Sequence, residues 1–178
     1  VVAIKVQFPG VKQSIDSDLA TLKFIMKTSG TLPAKFPLDY YIAKCGDLLK
    51  RETNYELEAE NINLFSGFLN GSKVIRVPKV YNKLSTDQTL TLSFLEGREL
   101  SNIMNFDQSV RDEISLHLIQ LLFNEIFNFR MVQTDPNLAN FLLSEGGKSL
   151  CVLDFGACSQ VSEETDRLYK DLLTGTLS

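Results

Sequence analysis

The sequence predicts an α+β chain folded in two lobes and incomplete at both ends, and three short strings in a fixed order carry that prediction. VAIK at residues 2–5 ends an apolar run on Lys5, TDPNLAN at 134–140 sets Asp135 and Asn140 five positions apart, and LDFG at 153–156 opens on Asp154 fourteen positions after Asn140. Alone, the first string is any buried strand ending in a lysine, and the last is any turn after a strand. In this order and at these intervals they are the parts of a protein-kinase-like phosphoryl-transfer site.

The chemistry explains the residue types. Transfer of a terminal phosphoryl group needs cations held against the phosphates of ATP and an acceptor held in line, with little covalent work from the protein. Lys5 is expected to bring a fixed charge to the phosphates. Asp154 is expected to hold magnesium through a hard carboxylate oxygen, Asn140 to add an amide oxygen at a second metal position, and Asp135 to orient or deprotonate the acceptor. A lysine in such a cleft is usually positioned by an acid on a neighbouring helix. Glu58, in the stretch RETNYELEAENINLF at 51–65, is the candidate, with Glu56 and Glu60 expected on a solvated face.

The elements follow in chain order. VVAIKVQF reads as a strand stopped by Pro9 and Gly10, and Ile15 to Met26 as a helix with Ser14 or Asp16 as cap and Gly30 beyond its end. Pro33 and Pro37 mark a connection into a long helical region from about Asp39 to Leu69, an insertion between the lysine strand and the glutamate helix. Strands are expected at Val74–Val77, Lys79–Lys83 and Thr89–Phe94, with Gly97 as hinge. A helix from Ser109 to Phe129 places Ile114, Leu118, Leu121, Leu122, Ile126 and Phe129 on one apolar face. His117 beside that face reads as structural. Phe141–Leu143 and Ser149–Leu153 form a hairpin around Glu145, Gly146 and Gly147, and a helix starts near Ser162. The lobes divide as 1–96 and 97–178.

Composition excludes some functions. Hydrophobic residues make up 44% of 178, enough to fill a core, and 18 basic against 22 acidic residues give a net charge of −4, so no nucleic-acid partner is expected. Cys45, Cys151 and Cys158 have neither pairing parity nor metal-ligand spacing and read as reduced structural thiols. No apolar run approaches the roughly 18 residues that would span a membrane.

VAIKVQFPGV followed by SIDSDL, then YELEAEN, VPKVY, TDPNLANF and LDFGA, resembles the UbiB family of atypical kinases, most nearly its mitochondrial ADCK-type members, which support ubiquinone (coenzyme Q) biosynthesis. The resemblance implies ATP and magnesium as cofactors, Lys5, Glu58, Asp135, Asn140 and Asp154 as site residues, and added helices where the insertion falls. It also implies a mitochondrial location, and as partners a nucleotide, a lipid or isoprenoid precursor and other proteins of ubiquinone biosynthesis. Where the family carries Glu-x-Asp before the helix glutamate, this chain has Glu52, Thr53 and Asn54. The chain opens on the strand lysine, without the alanine-rich loop or Lys-x-Gly-Gln segment that the resemblance implies. It is therefore expected to be a fragment with little turnover alone.

After Gly156 the chain reaches a helix within a few residues, with no long activation loop and no A-P-E string. That argues against protein substrates and for a small-molecule, lipid or ATP-hydrolysing role. One alternative is a non-catalytic pseudokinase-like scaffold. Another is a phosphotransferase of the aminoglycoside or choline kinase kind, which Thr134 and LDFG disfavour, since those enzymes carry a histidine before the aspartate and an Ile-Asp string.

Overall fold

Strand β1 (Val2–Val6) pairs antiparallel with β3 (Thr89–Ser93), Lys5 standing opposite Leu90. The computed structural model describes residues 1–33, 35–144 and 147–175. Alternation along β1 turns Ala3 and Lys5 inward and leaves Ile4 and Val6 exposed. A slip of one residue in this register would move every side chain to the other face and take Lys5 out of the cleft.

Gly10, at φ +84°, opens α1 (Val11–Thr28), a conformation a side chain would strain. The expected caps are corrected here. Ser14 lies inside the helix and bonds the Val11 carbonyl, while Asp16 pairs with Lys50 of α2 (Leu38–Glu52) at 2.7 Å. A second pair, Lys23 with Asp39 at 2.9 Å, fixes α1 and α2 as antiparallel. Beyond α1, Gly30 adopts φ +65°, as its place past the helix end requires.

The helical region expected from Asp39 to Leu69 holds two helices, the inserted α2 and the glutamate helix, because the chain breaks at Thr53 and Asn54. Asn54 caps the second, α3 (Tyr55–Phe68), its Oδ1 accepting from Leu57 N–H at 3.1 Å. That break aims α3, and with it Glu58, across the end of β1. Helix α3 also supplies Ile62 and Phe65, both fully buried, to the main core.

The strand expected over Lys79–Lys83 is also corrected: Val80 makes one bridge to Leu92, and Asn82–Leu84 turns in a 3-10 helix. Thr91 Oγ1 donates to the Leu84 carbonyl and Ser85 Oγ to that of Tyr81, so these groups are satisfied by the turn and not by a ladder. A four-stranded sheet runs in the order β2 (Ile75–Arg76), β7 (Leu150–Val152), β6 (Phe141–Leu143), β4 (Arg98–Glu99). The β6–β7 pair is the expected hairpin, with Glu145 and Gly146 of its turn outside the described residues. At Gly97 the approach to β6 is close: a Cβ there would lie 2.6 Å from the Leu143 carbonyl oxygen.

Helix α4 (Gln108–Asn124) does not continue as an α-helix to Phe129. Residues Glu125–Phe129 form a π-helical turn, closed by Arg130 at φ +52°. On its predicted apolar face Ile114 and Leu121 are buried and Leu118 and Phe129 pack against the core, but Leu122 is 47% exposed. Strand β5 (Met131–Gln133) follows and pairs antiparallel with β8 (Cys158–Gln160). Ser162 caps α5 (Glu163–Thr174) through Thr165 N–H at 3.1 Å. No described helix is long and apolar enough to cross a membrane.

Candidate active site

Four elements meet where β1 crosses the start of α3. Lys5 Nζ donates to Glu58 Oε1 and, at 3.2 Å, to Asp154 Oδ2. Glu58 is almost fully enclosed, its side chain 4% exposed against 31% for Lys5, whereas Glu56 and Glu60 lie exposed on the opposite face of α3. Helical periodicity explains this: Glu56 and Glu60, four positions apart, share one face, and Glu58, two from each, points the other way.

Burial pushes the Glu58 carboxyl above its usual range, and the Lys5 ammonium opposes that rise. Burial also acts against the charge on Lys5, yet the carboxylates of Glu58 and Asp154 outweigh it and raise the lysine pKa. Lys5 is therefore a fixed cation held by two acids.

Asp154 and Phe155 are anchored from behind. Gly156 N–H donates to Asp154 Oδ1 at 2.9 Å, and Asn61, one turn beyond Glu58, donates Nδ2 to the Phe155 carbonyl at 2.8 Å from a buried position. Gln133 Nε2 donates to the Asp154 carbonyl. Neither Asn61 nor Gln133 is among the expected site residues; Asn61 ends the string YELEAEN, and its signal is its i+3 spacing from Glu58. Across the site, Asn140 Nδ2 donates to Asp135 Oδ2 at 2.7 Å, and Leu153 N–H donates to the Asn140 carbonyl at 2.9 Å. That amide hydrogen bond commits Asn140 Oδ1 as an acceptor atom.

Two clefts share Lys5. One, about 370 Å³, is lined by Lys5, Glu52, Tyr55, Glu58, Asp135 and Asp154; the other, about 630 Å³, is largely apolar and is lined by Ala3, Leu92, Phe94, Leu95, Leu142 and Leu153 beside Lys5. An apolar slot beside a polar, charged recess suits a flat ring joined to an anion. Among the described residues, no three His, Cys, Asp or Glu side chains gather to hold a metal by themselves. Asp154 carries two hard carboxylate oxygens, which meet Lys5 and the Gly156 N–H, and Asn140 adds an amide oxygen beside Asp135.

Asn54, where the resemblance has an aspartate, is the α3 cap, a task amide and carboxylate oxygens perform equally. Asn54→Ala is expected to lower stability by about 1 kcal/mol, with Asn54→Asp unchanged within about 0.5 kcal/mol; urea denaturation measures both. Cys151 and Cys158 sit on the strands flanking the Asp154 turn. Burial first, then the nearby acids Glu125, Asp154 and Glu58, push the Cys158 thiol up to about 12. Cys45 is exposed on α2, and His117 is half-buried on α4 and lines neither cleft.

The ABC1 atypical kinase-like domain matches residues 1–178. The chain belongs to that family. The ABC1 membership agrees with the likeness carried by its motifs. Relatives of this ABC1 chain include the mitochondrial atypical kinase COQ8 of Saccharomyces cerevisiae, 38% identical over 97% of this chain and 34% of that protein. The mitochondrial atypical kinase COQ8B of Danio rerio is 36% identical over 91% of this chain and 26% of its own length. This ABC1 chain thus spans about a third or less of these relatives. A solved Mycobacterium tuberculosis protein, Rv3197 in complex with erythromycin, superposes with a TM-score of 0.71 at 24% identity, over 90% of this chain and 40% of that one. That likeness shows the kinase-like α+β fold.

Proposed function

We propose that residues 1–178 are the nucleotide-binding part of a magnesium-dependent atypical kinase or ATPase serving ubiquinone biosynthesis in mitochondria. The carrying observation is the meeting of Lys5 with Glu58 and Asp154, across the cleft from the Asp135–Asn140 pair. Lys5 would bind the phosphates. Asp154 and Asn140 would hold magnesium, which when bound neutralises charge developing on the transferred group. Asp135 would orient the acceptor, a water or a small molecule, and take its proton. The apolar slot would take the base. The lobes would divide near Gly97, at the close approach of β4 and β6.

The segment after Asp154 favours a small acceptor. From Gly156 the chain passes through β8, paired to β5, into α5 at Glu163, a path too short for a loop on which a polypeptide could dock. The mitochondrial location and the link to ubiquinone come from the names of the COQ8 relatives and the motif resemblance; a lipid or isoprenoid precursor is the acceptor class that fits both. Calorimetric titration with ATP is the test. Binding at micromolar ATP is expected with magnesium and at least about tenfold weaker binding with excess chelator; binding indifferent to the metal, or none, would overturn this assignment.

A further inference from the structure

We propose that Glu125 and Gln133 form a positioning clamp that ties the catalytic loop to the Asp154 turn and thereby sets the affinity for magnesium-nucleotide; it rests on the nucleotide-binding function proposed above. Strand β5 is the edge through which the chain enters the catalytic loop. Thr134 N–H donates to the Ala157 carbonyl at 2.7 Å, so in an antiparallel ladder with β8 the N–H of its neighbour Gln133 points the other way. A backbone donor turned from its ladder toward the interior needs another acceptor.

Glu125 supplies it. Glu125 is 4% exposed and shares an apolar recess with Leu118, Leu121 and Phe141, and the Gln133 backbone N–H favours its ionised form. A carboxyl in an apolar surround is costly unless a donor meets it, and burial pushes this one up to about 7. It opens the π-helical turn, whose wider winding re-aims side chains relative to an α-helix and is frequent at functional sites.

Gln133 then acts in two directions. Its main chain lies two residues before Asp135, and its side-chain amide donates to the Asp154 carbonyl. One residue thus joins the strand that delivers the acceptor-side aspartate to the residue whose carboxylate meets Lys5. The π turn, β5 and the Asp154 turn become one unit, held by groups outside the lining of the cleft beside Lys5. Neither Glu125 nor Gln133 lines the cleft beside Lys5, so both are positioning residues.

The test uses titration with magnesium-ATP and amide hydrogen exchange on the wild type, Glu125→Gln, Glu125→Leu, Gln133→Leu and the double leucine variant. Glu125→Gln keeps an acceptor oxygen and is expected to hold affinity within about threefold, while each leucine variant loses about tenfold and the double variant no more than a single. Exchange at Gln133 and Thr134 is expected to quicken in Glu125→Leu and not in Glu125→Gln. Equal losses in Glu125→Gln and Glu125→Leu, additive losses in the double variant, or full affinity in Gln133→Leu would each overturn the clamp. If Glu125→Leu does not fold, Glu125→Gln and Gln133→Leu decide by the same affinities. If the wild type binds no magnesium-ATP, the nucleotide assignment alone falls, and exchange decides whether the clamp stands: quickening in Glu125→Leu sustains it and unchanged rates reject it.

Discussion

Asp154→Asn is expected to weaken magnesium-ATP binding about 100-fold, whereas Asp135→Asn shifts it by less than about threefold and acts on turnover. Asp154 Oδ2 meets Lys5 and Oδ1 accepts Gly156 N–H, so the carboxylate is already aimed by two donors at the recess it shares with Glu58. An amide there removes the anionic oxygen a hard cation prefers, and its NH2 must face either the Lys5 ammonium or the Gly156 N–H. Both effects have the same sign. Asp135 is exposed, and its amide can keep an oxygen on Asn140 Nδ2 with the charge removed, giving up only the longer 3.4 Å contact from Asn137 N–H. Titrations of both variants, with and without magnesium, separate the two roles; unchanged affinity in Asp154→Asn would remove it from the metal.

Lys5→Met is expected to destabilise the fold by about 2 kcal/mol at pH 8 and to abolish nucleotide binding. Breaking an enclosed ion pair by removing one partner costs about 3–5 kcal/mol, and the figure is reduced here because Lys5 is partly open to water. The pH dependence has a definite sign. Burial raises the Glu58 pKa in the folded state, so the folded protein holds its proton more tightly than the unfolded one, and stability falls as pH rises from the unfolded carboxyl value through the raised one. Lys5 opposes that rise in the wild type. Without it the window widens upward, and the variant should lose less stability relative to wild type at pH 5 than at pH 8. Lys5 acts at the other end of the scale: its folded pKa is raised, so its contribution is complete below the unfolded lysine value and fades as pH passes above it. Urea denaturation at the two pH values measures the difference, and an equal deficit at both would show that Glu58 is not the group left unpaired.

Much of this site was legible because its residues are marked locally. Asp135 and Asn140 are five apart on one turn, and Asp154 follows a strand, so short-range backbone geometry carries their relation. Glu58 required more. Three acids alternate through the start of α3, and only the direction in which that helix leaves its Asn54 cap selects one. The roles of Asn61 and Gln133 have no local signature because each acts through a backbone carbonyl, of Phe155 and of Asp154, and a carbonyl leaves no mark in a sequence. The strand expected over Lys79–Lys83 and the point where the Asp39–Leu69 helical region divides share a reason: apolar spacing continues across both, while side-chain caps and turn bonds end the elements earlier.

What the sequence by itself determined is the set of residue types: a lysine closing a strand, an aspartate and asparagine on a loop, and an aspartate before a turn, each at the interval that the proposed phosphoryl transfer calls for. What only the tertiary structure decided is which charges meet. Lys5 lies 53 residues from Glu58 and 149 from Asp154, and their contact depends on the register of β1 against β3 and on the break between α2 and α3. Neither leaves a periodic signal. Register and helix direction are chosen by the burial of Ile62, Phe65, Leu90 and Phe155 together, and packing among such distant residues has no expression in the spacing of near ones.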